Sequence, residues 1–580
     1  MFKIKAAIFL FLIFLFSNSF SWQQEVDYTI TAELFPKDHK IEAKLTLIYT
    51  NNSPDTLRKV YFHLYLNAFQ PGSYMDKASR RMADYDLASL PEDEWGKQEI
   101  KVLKADGKEV SDFVINNTIL ELNLPEPLPP QSKMEFYFEF TDQVPVDGGR
   151  MGRRGKHYDI GQWYPKMAVY DHKGWHNDQY LPFGEFYGDF GSFKVEFTFP
   201  KEYIVGHTGV LLNQEEIYPD LPRASKDTVL IDILKKYQEK KDTLQKQIVV
   251  TPERNHGEYL KEDDSPSVSD TTKKEKELET VTWKMYAENV HDFALAADPN
   301  FIWDRAQWED VTINALYTKE SKKHWEKNAA LFSKFCIEFF SKTFGRYPYS
   351  HYTTVAANVG GGMEYFNLTF INKRIGSDFN HSLFGVIAHE IGHNWFYGLI
   401  GSNETKQPFM DEGFTTFATI LAMEAYYGRY DNEYTWKKWH QKTFYYNDDD
   451  RARSARSYIV YAKRGLDEAT DTPADKFLNP GAMRIGSYAK TASVLFMLQY
   501  ALGDSVFDHG MKEYYRRWHY KHPYKEDFQE VMEDVSGQKL DWFFKQWWER
   551  TYICDYGIKK IKNKSTAGEK GNFVQTEVLL

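Results

Sequence analysis

The chain has very little cysteine, with only Cys336 and Cys554 among its 580 residues. Cys336 falls on the apolar stripe of "HWEKNAALFSKFCIEFFSKTF", a position that favours a buried thiol over a disulfide or a metal ligand. Basic residues are also fewer than acidic ones, and the formal net charge is −11 at pH 7. No nucleic-acid partner is expected, since surfaces that bind nucleic acids are basic.

Long apolar runs are lacking as well, apart from Ala6 to Phe16 near the N-terminus. Its eleven residues fall short of the ~20 that span a bilayer. Lys3 and Lys5 precede the run, and the small-x-small tripeptide at 19–21 follows it, which is the pattern of a signal peptide over residues 1–21. We therefore expect export to the periplasm or the extracellular space, with no transmembrane anchor after cleavage.

The stretch "GVIAHEIGHNWFYG" at 385–398 predicts a helix that carries ionisable residues in apolar surroundings. Asn380 or Ser382 is the expected N-terminal cap, and Gly398 is expected just past the C-terminal end. His389 and His393 stand at i and i+4, so both imidazoles lie on one face of the helix.

Glu390 completes the motif His-Glu-x-x-His, in which two imidazoles hold zinc and the glutamate is the general base. The alternative is a helix whose histidines are hydrogen-bonded core residues. Catalytic zinc usually has three protein ligands, and Glu412 follows His393 after eighteen residues, in the first turn of a second predicted helix. An acid there is also typical of a dipole-stabilised surface helix, but the spacing favours a third ligand.

His-Glu-x-x-His, eighteen residues and then Glu is the pattern of gluzincin metallopeptidases of the aminopeptidase N and leukotriene hydrolase family, which this chain resembles. "GGMEYFNLTF" at 361–370 is similar to the family's Gly-x-Met-Glu-Asn signature, and "SYAKTASVLFML" at 487–498 to its catalytic tyrosine segment. "YTNNSPDTLRKVYFHLYLNAF" and "GEFYGDFGSFKVEFTFP" also resemble the family, so the likeness extends from about Tyr28 to Trp548.

The resemblance implies one zinc ion per chain, peptide substrates, and removal of residues from the peptide N-terminus. Tyr488 matches the tyrosine that donates a hydrogen bond to the oxyanion, and Glu364 matches the glutamate that binds the substrate's α-amine. Gly361 and Gly362 allow a peptide to approach the backbone, unless they form an ordinary turn. Tyr365 stands where the family has asparagine, so we expect a changed or narrowed amine pocket.

The length of 580 residues is too great for one core and suggests two to four domains. Strict alternation at 28–35 and 41–49, and again at Val60–Leu66 and Phe193–Phe199, predicts β structure. With the resemblance, the expected fold is multidomain: an N-terminal all-β saddle domain, then a mainly α thermolysin-like (α+β) zinc peptidase domain.

The expected boundaries are 22–305 for the β domain and 306–549 for the catalytic domain, with long helices from about Trp308. A charged insertion at about 214–280 reads as a helix plus a solvated loop. Residues 550–580 start a β segment, so either the chain is cut within a following module or the cleft is open on that side.

Three alternatives stay open at this point. The same zinc site serves an endopeptidase or an epoxide-type hydrolase, and a catalytically silent relative would bind peptides without cleaving them. Nothing in the sequence indicates a lipid-binding pocket, and a silent relative has no need of Glu390 and Tyr488. We therefore expect an exported zinc aminopeptidase, acting as a monomer.

Overall fold

A computed structural model of the chain describes residues 22–82, 86–146, 149–246, 279–376, 381–429, 449–552, 560–568 and 571–579. The predicted signal peptide, Asn380, Cys554 and most of the loop in the charged insertion lie outside the described residues. Within the described ranges, no helix is both long and apolar enough to cross a membrane.

The first half of the chain is rich in short and medium strands. In chain order they are β1 (Glu25–Phe35), β2 (Lys40–Asn51), β3 (Leu57–His63), β4 (Lys97–Ala105), β5 (Lys108–Glu109), β6 (Phe113–Asn116), β7 (Ile119–Leu128), β8 (Ser132–Gln143), β9 (Gly152–Arg154), β10 (His157–Ile160), β11 (Lys166–Met167), β12 (Tyr170–Asp171), β13 (Gly174–Trp175), β14 (Gly191–Pro200), β15 (Ile204–His207), β16 (Val210–Leu211), β17 (Thr280–Val290) and β18 (Leu295–Asp298).

These strands form one eight-stranded sheet, β16-β17-β14-β1-β2-β8-β4-β5, two four-stranded sheets, β15-β18-β10-β9 and β11-β3-β7-β6, and the pair β12-β13. The predicted alternation at 28–35 and 41–49 is confirmed, because every second residue there is buried while the residues between them are more exposed. Strand β3 ends at His63, however, and a 3-10 helix at Tyr65–Phe69 takes the place of the expected strand to Leu66.

The described helices, again in chain order, are α1 (Tyr74–Met82), α2 (Gln214–Ile217), α3 (Ser225–Lys246), α4 (Lys322–Trp325), α5 (Asn328–Thr343), α6 (Ser382–Gly392), α7 (Pro408–Tyr427), α8 (Asp450–Ala462), α9 (Pro480–Arg484), α10 (Thr491–Leu502), α11 (Asp504–Trp518), α12 (Lys525–Ser536) and α13 (Asp541–Trp547). Helix α3 confirms the predicted helix of the charged insertion. Cys336 is fully buried in α5, as its place on the apolar stripe predicted.

The second half begins with a sheet that the sequence did not predict. Its strands are β19 (Ile302–Trp308), β20 (Val311–Tyr317), β21 (His351–Ala357), β22 (Gly362–Tyr365) and β23 (Leu368–Asn372), in the order β19-β20-β21-β23-β22. The expected boundary at 305/306 falls inside β19, which pairs with β20 rather than with the N-terminal sheets. The long helices of the second half start only at Asn328, and a final hairpin, Lys560–Gly568 and Gly571–Leu579, ends the described chain.

Strand β22 is the edge of this sheet, antiparallel to β23, and helix α6 packs against both strands. The next helix, α7, packs on α6, and the segment at 485–490 packs on α7. Apolar residues of α5, α6, α7 and α10 meet in one core, which holds these elements in place. The fold therefore brings the four predicted motifs together at one edge of the five-stranded sheet.

Candidate active site

Two packed helices supply the predicted metal ligands. Helix α6 carries His389 near its C-terminal end, and His393 follows directly after its last residue, Gly392. Pro408 starts helix α7 and presets its backbone, which places Glu412 in the first part of that helix. All three side chains are buried or partly buried between the helices and meet at one point.

The expected helix limits are partly wrong. Helix α6 starts at Ser382, so this serine is inside the helix, and His381 precedes it in a left-handed conformation. The regular helix ends at Gly392 instead of continuing to Gly398. Wide turns replace it, in which the amide of Gly398 donates to the carbonyl of His393 at 2.7 Å. These turns leave room for the loop that leads to α7.

The three ligand atoms are spaced as a tetrahedral metal site requires. His389 Nε2 lies 3.2 Å from His393 Nε2 and 3.2 Å from Glu412 Oε2, and His393 Nε2 lies 3.5 Å from the same oxygen. Metal–ligand bonds of about 2.0–2.1 Å in a tetrahedron separate the ligand atoms by about 3.3–3.4 Å. The donor set of two imidazoles and one carboxylate therefore fits zinc in type, number and spacing.

The other ring nitrogens have partners that favour ligation through Nε2. His393 Nδ1 makes a short contact with Asp411 Oδ1 and lies 3.2 Å from Thr415 Oγ1. His389 Nδ1 lies 3.4 Å from Thr419 Oγ1. A carboxylate that accepts the Nδ1 proton leaves the Nε2 lone pair free for a metal and fixes the ring orientation. Sequence reasoning gave Asp411 no such role, although its position next to Glu412 was visible.

The site concentrates opposite charges in a buried space. Burial acts to lower the pKa of His393, but Asp411 and Glu364 outweigh it and raise that pKa well above the usual range. Burial acts to raise the pKa of Glu412, but hydrogen bonds from His389 and His393 hold it well below the usual range. A proton and a metal cation therefore compete for the same Nε2 atoms.

Glu390 points from α6 toward the glycine stretch of β22. The residue is 5% exposed, and its Oε2 has no hydrogen-bond partner among the described residues. A Cβ added to Gly362 would lie 2.1 Å from Glu390 Oε1, so the carboxylate rests directly on the glycine backbone. Gly362 is thus required for the position of Glu390, and the alternative of an ordinary turn does not describe it.

Tyr488 lies in a π-helical segment, Ile485–Lys490, between α9 and α10. Its hydroxyl donates a short hydrogen bond to Glu412 Oε1, the oxygen that does not face the histidines. Its ring stacks against His389, with centroids 5.9 Å apart and planes at 16°. Wide helical turns of this kind occur often at functional sites because they re-aim one side chain, here the phenol of Tyr488.

Strand alternation separates the residues of β22. Gly362 and Glu364 line the active-site cavity, whereas Met363 and Tyr365 point to the other face and join an apolar cluster with Phe370. The expectation that Tyr365 narrows the amine pocket is therefore wrong, because its ring is buried behind the strand. Glu364 is 5% exposed, and its Oε1 has no hydrogen-bond partner among the described residues.

The cavity has a volume of about 1040 Å³ and includes every predicted site residue in its lining. It also contains residues that sequence reasoning missed. Arg150 and Glu185 come from the first half of the chain and form an ion pair, with Nε 3.2 Å from Oε2. Glu404 is 1% exposed, and neither of its carboxylate oxygens has a partner in the described part of the chain. Of these three residues, only Glu185 lies in a stretch that the sequence analysis singled out for its family resemblance, "GEFYGDFGSFKVEFTFP".

Comparisons with known proteins agree with this geometry. Residues 329–547 match the Peptidase family M1 domain. Saccharomyces cerevisiae "Aminopeptidase 2, mitochondrial" is 25% identical over 284 residues, which are 46% of this chain and 28% of that protein. Sulfurisphaera tokodaii "Probable aminopeptidase 2" is 24% identical over 286 residues, which are 47% of this chain and 35% of that protein. The match thus spans about a third of the length of these relatives.

Solved structures show the same fold over almost the whole chain. The M1 zinc metallopeptidase from Deinococcus radiodurans has a TM-score of 0.55 at 14% identity, covering 92% of this chain and 94% of that one. Legionella pneumophila aminopeptidase A, solved with aspartic acid, has a TM-score of 0.56 at 14% identity, covering 97% of this chain and 53% of that one. At such identity these likenesses concern the fold alone.

Proposed function

We propose that this chain is a zinc aminopeptidase. It belongs to the gluzincin metallopeptidases of the aminopeptidase N family and carries an M1 peptidase domain at residues 329–547. The observation that carries the proposal is the mutual spacing of 3.2–3.5 Å among His389 Nε2, His393 Nε2 and Glu412 Oε2. These residues would hold one zinc ion per chain.

When bound, zinc supplies a Lewis acid for the scissile carbonyl and makes a water nucleophilic near neutral pH. Glu390 accepts a proton from the attacking water on a carboxylate oxygen and passes it to the nitrogen of the leaving amine. Tyr488 exchanges its hydrogen bond with Glu412 for one to the oxyanion. The support for these roles is that both side chains line the same cavity as the three ligands.

Glu364 is proposed to bind the substrate's α-amine. Its buried, partner-free Oε1 favours a charge-assisted hydrogen bond to an ammonium group. The nearby cation Arg150 is paired with Glu185, so it leaves Glu364 available for the substrate. An amine fixed there brings the first peptide bond of the substrate to the metal ligands, which favours stepwise removal of N-terminal residues.

Export is the second part of the proposal, and it rests on the signal-peptide pattern at residues 1–21. Expression of the full gene in its host, followed by intact-mass measurement of the recovered protein, tests it. The expected product starts near Trp22 and is recovered outside the cytoplasm. A product that starts at Met1 and stays in the cytosol contradicts export and leaves the peptidase proposal intact.

The test of the activity uses purified protein with matched peptides, one free and one N-acetylated. We expect one zinc per chain, loss of hydrolysis on chelation, and normal zinc content but no turnover in Glu390→Gln. Mass spectrometry should show stepwise loss of N-terminal residues from the free peptide only. Internal fragments from both peptides at equal rates would identify an endopeptidase, and active protein without zinc would refute the metal assignment.

Glu364→Gln separates amine recognition from the chemistry. The amide keeps the shape of the side chain but removes the charge that attracts an ammonium group. The kcat/KM for free peptides should fall about ten-fold or more, as expected for a charge-assisted hydrogen bond worth about 1.5–3 kcal/mol. Equal activity in the parent and the variant would contradict the amine-binding role.

A further inference from the structure

Strand β10 and Gly161, the residue that follows it, lie in the first half of the chain and contact both ends of the segment 358–365, which contains the glycines and β22. At one end, Asp159 Oδ2 accepts a hydrogen bond of 3.0 Å from the backbone amide of Asn358. At the other end, Gly161 packs on Tyr365, and a Cβ added to this glycine would lie 2.0 Å from the tyrosine hydroxyl. The segment is therefore fixed from outside its own sheet.

His157 holds Asp159 in place. Its Nε2 lies 2.8 Å from Asp159 Oδ1, and its Nδ1 lies 3.0 Å from Asp298 Oδ2 on the neighbouring strand β18. Two carboxylate partners require a proton on each ring nitrogen, so the ring is an imidazolium. Phe301 covers the ring, and Asp298 is also bonded to the amide of Asn300 at 2.7 Å. All three ionisable groups are buried.

We propose that Asp159 and Gly161 are positioning residues for substrate binding, which set the place of segment 358–365 from the other half of the molecule. The inference rests on the proposed function, since it assigns a task to the strand that would bind the peptide. It also gives a role to the tyrosine at position 365, because the Tyr365 ring lies on the face of β22 away from the cavity and contacts Gly161.

The remaining anchors of the segment lie mostly in β22, where residues 362–365 pair with residues 368–371 and Thr369 Oγ1 donates to the carbonyl of Met363 at 3.0 Å. The carbonyl of Gly361 accepts from the amide of Asn372 at 2.7 Å, while added Cβ atoms at Gly360 and Gly361 would meet nothing within 4 Å. The cavity side of the segment is thus open, as a strand that pairs with a peptide needs to be. Release of the Asn358 amide would move the backbone that binds the substrate more than the zinc ligands, which stand on other elements.

The test compares Asp159→Ala with Asp298→Asn. Both changes remove a carboxylate from His157, but only the first removes the acceptor of the Asn358 amide. We expect Asp159→Ala to raise KM for free peptides about ten-fold, a ratio that corresponds to about 1.4 kcal/mol. Its kcat and zinc content should stay within about two-fold of the parent, and Asp298→Asn should leave KM within about two-fold.

Hydrogen exchange of segment 358–365, measured by mass spectrometry, gives a readout that does not depend on activity. Asp159→Ala should speed exchange in this segment and leave exchange in α6 unchanged. Asp159→Asn keeps a side-chain oxygen for the Asn358 amide and should restore slow exchange and a low KM. If Asp159→Ala does not fold, exchange and KM are compared between the parent and Asp159→Asn instead.

Several results would overturn the proposal. Equal rises of KM in Asp159→Ala and Asp298→Asn would mean that the network only stabilises the fold. A loss of kcat at constant KM, or unchanged exchange in Asp159→Ala, would place the effect elsewhere. If the parent cleaves no peptide, the proposed function fails, while the exchange measurement still decides whether Asp159 fixes the segment.

Discussion

Gly362→Ala is expected to abolish most of the activity while it leaves the fold intact. The new Cβ would stand 2.1, 2.3 and 2.6 Å from Oε1, Cδ and Cγ of Glu390. Ordinary van der Waals contact begins near 3.4 Å, so the carboxylate has to move by roughly 1 Å. The atoms that collide belong to the far end of a flexible side chain, and the backbone therefore has no need to shift.

A displacement of about 1 Å in a reacting group costs about a hundred-fold in rate. We therefore expect kcat to fall about a hundred-fold in Gly362→Ala, with zinc content and thermal stability close to the parent. Steady-state kinetics on a free peptide, metal analysis and a melting curve measure these three quantities. Gly385→Ala on the same helix as Glu390 is the matched control, because its Cβ would meet only Met423 Sδ, at 3.8 Å.

The control should keep kcat within about two-fold, since alanine is also favourable in a helix. Full activity in Gly362→Ala would show that the position of Glu390 against the glycine is not needed for catalysis. A similar loss in both variants would attribute the effect to crowding of the cavity.

Three further outcomes follow from the same contacts. Tyr488→Phe should lower kcat about 10²–10³-fold with little change in KM, and an unchanged kcat would make the tyrosine structural. Asp411→Asn should weaken zinc binding about 10–100-fold in a competition with a chelator, because the partner of His393 Nδ1 loses its charge; equal affinity would contradict that role. Burial lowers the pKa of His157, but Asp159 and both hydrogen bonds outweigh it and raise it to about 9. Protonated His157 therefore stabilises the folded state fully below pH ~6.5, and this stabilisation is lost as the pH rises through about 9. The difference in Tm between the parent and His157→Gln should narrow over that range, and a constant difference would contradict this reasoning.

The grouping of the proposed metal ligands was predictable because its signal is local. His389 and His393 share a face by helical period alone, and the eighteen-residue spacing to Glu412 leaves just enough chain for a turn and a second helix. The strands β21, β22 and β23 were missed, since buried strands between helices are short and lack a clean alternation. Once β22 is known to be a strand, the alternation of its side chains places Glu364 in the cavity and Tyr365 on the opposite face. The motif comparison alone did not reveal this.

Other parts of the site have no local signal at all. Arg150 reaches the cavity from a loop whose sequence gives no hint of it, and Asp159 meets Asn358 across 199 positions of chain. Such contacts depend on how two separate cores come together, and periodicity within one segment carries no information about that. The same holds for Glu404, whose burial follows from the packing of the loop between α6 and α7.

The position of strand β22 has a consequence for contacts of its free edge with other molecules. A free strand edge is a template for the sheets of other molecules, and proteins usually block it with charge, proline or a bulge. Here Gly362 and Glu364 lie in the wall of a deep cavity, between helices and the first half of the chain. Pairing with another sheet would bring further strands beside β22 at about 4.8 Å spacing, into the space that these walls enclose. We therefore expect the walls of the cavity to hinder pairing of this edge with other sheets.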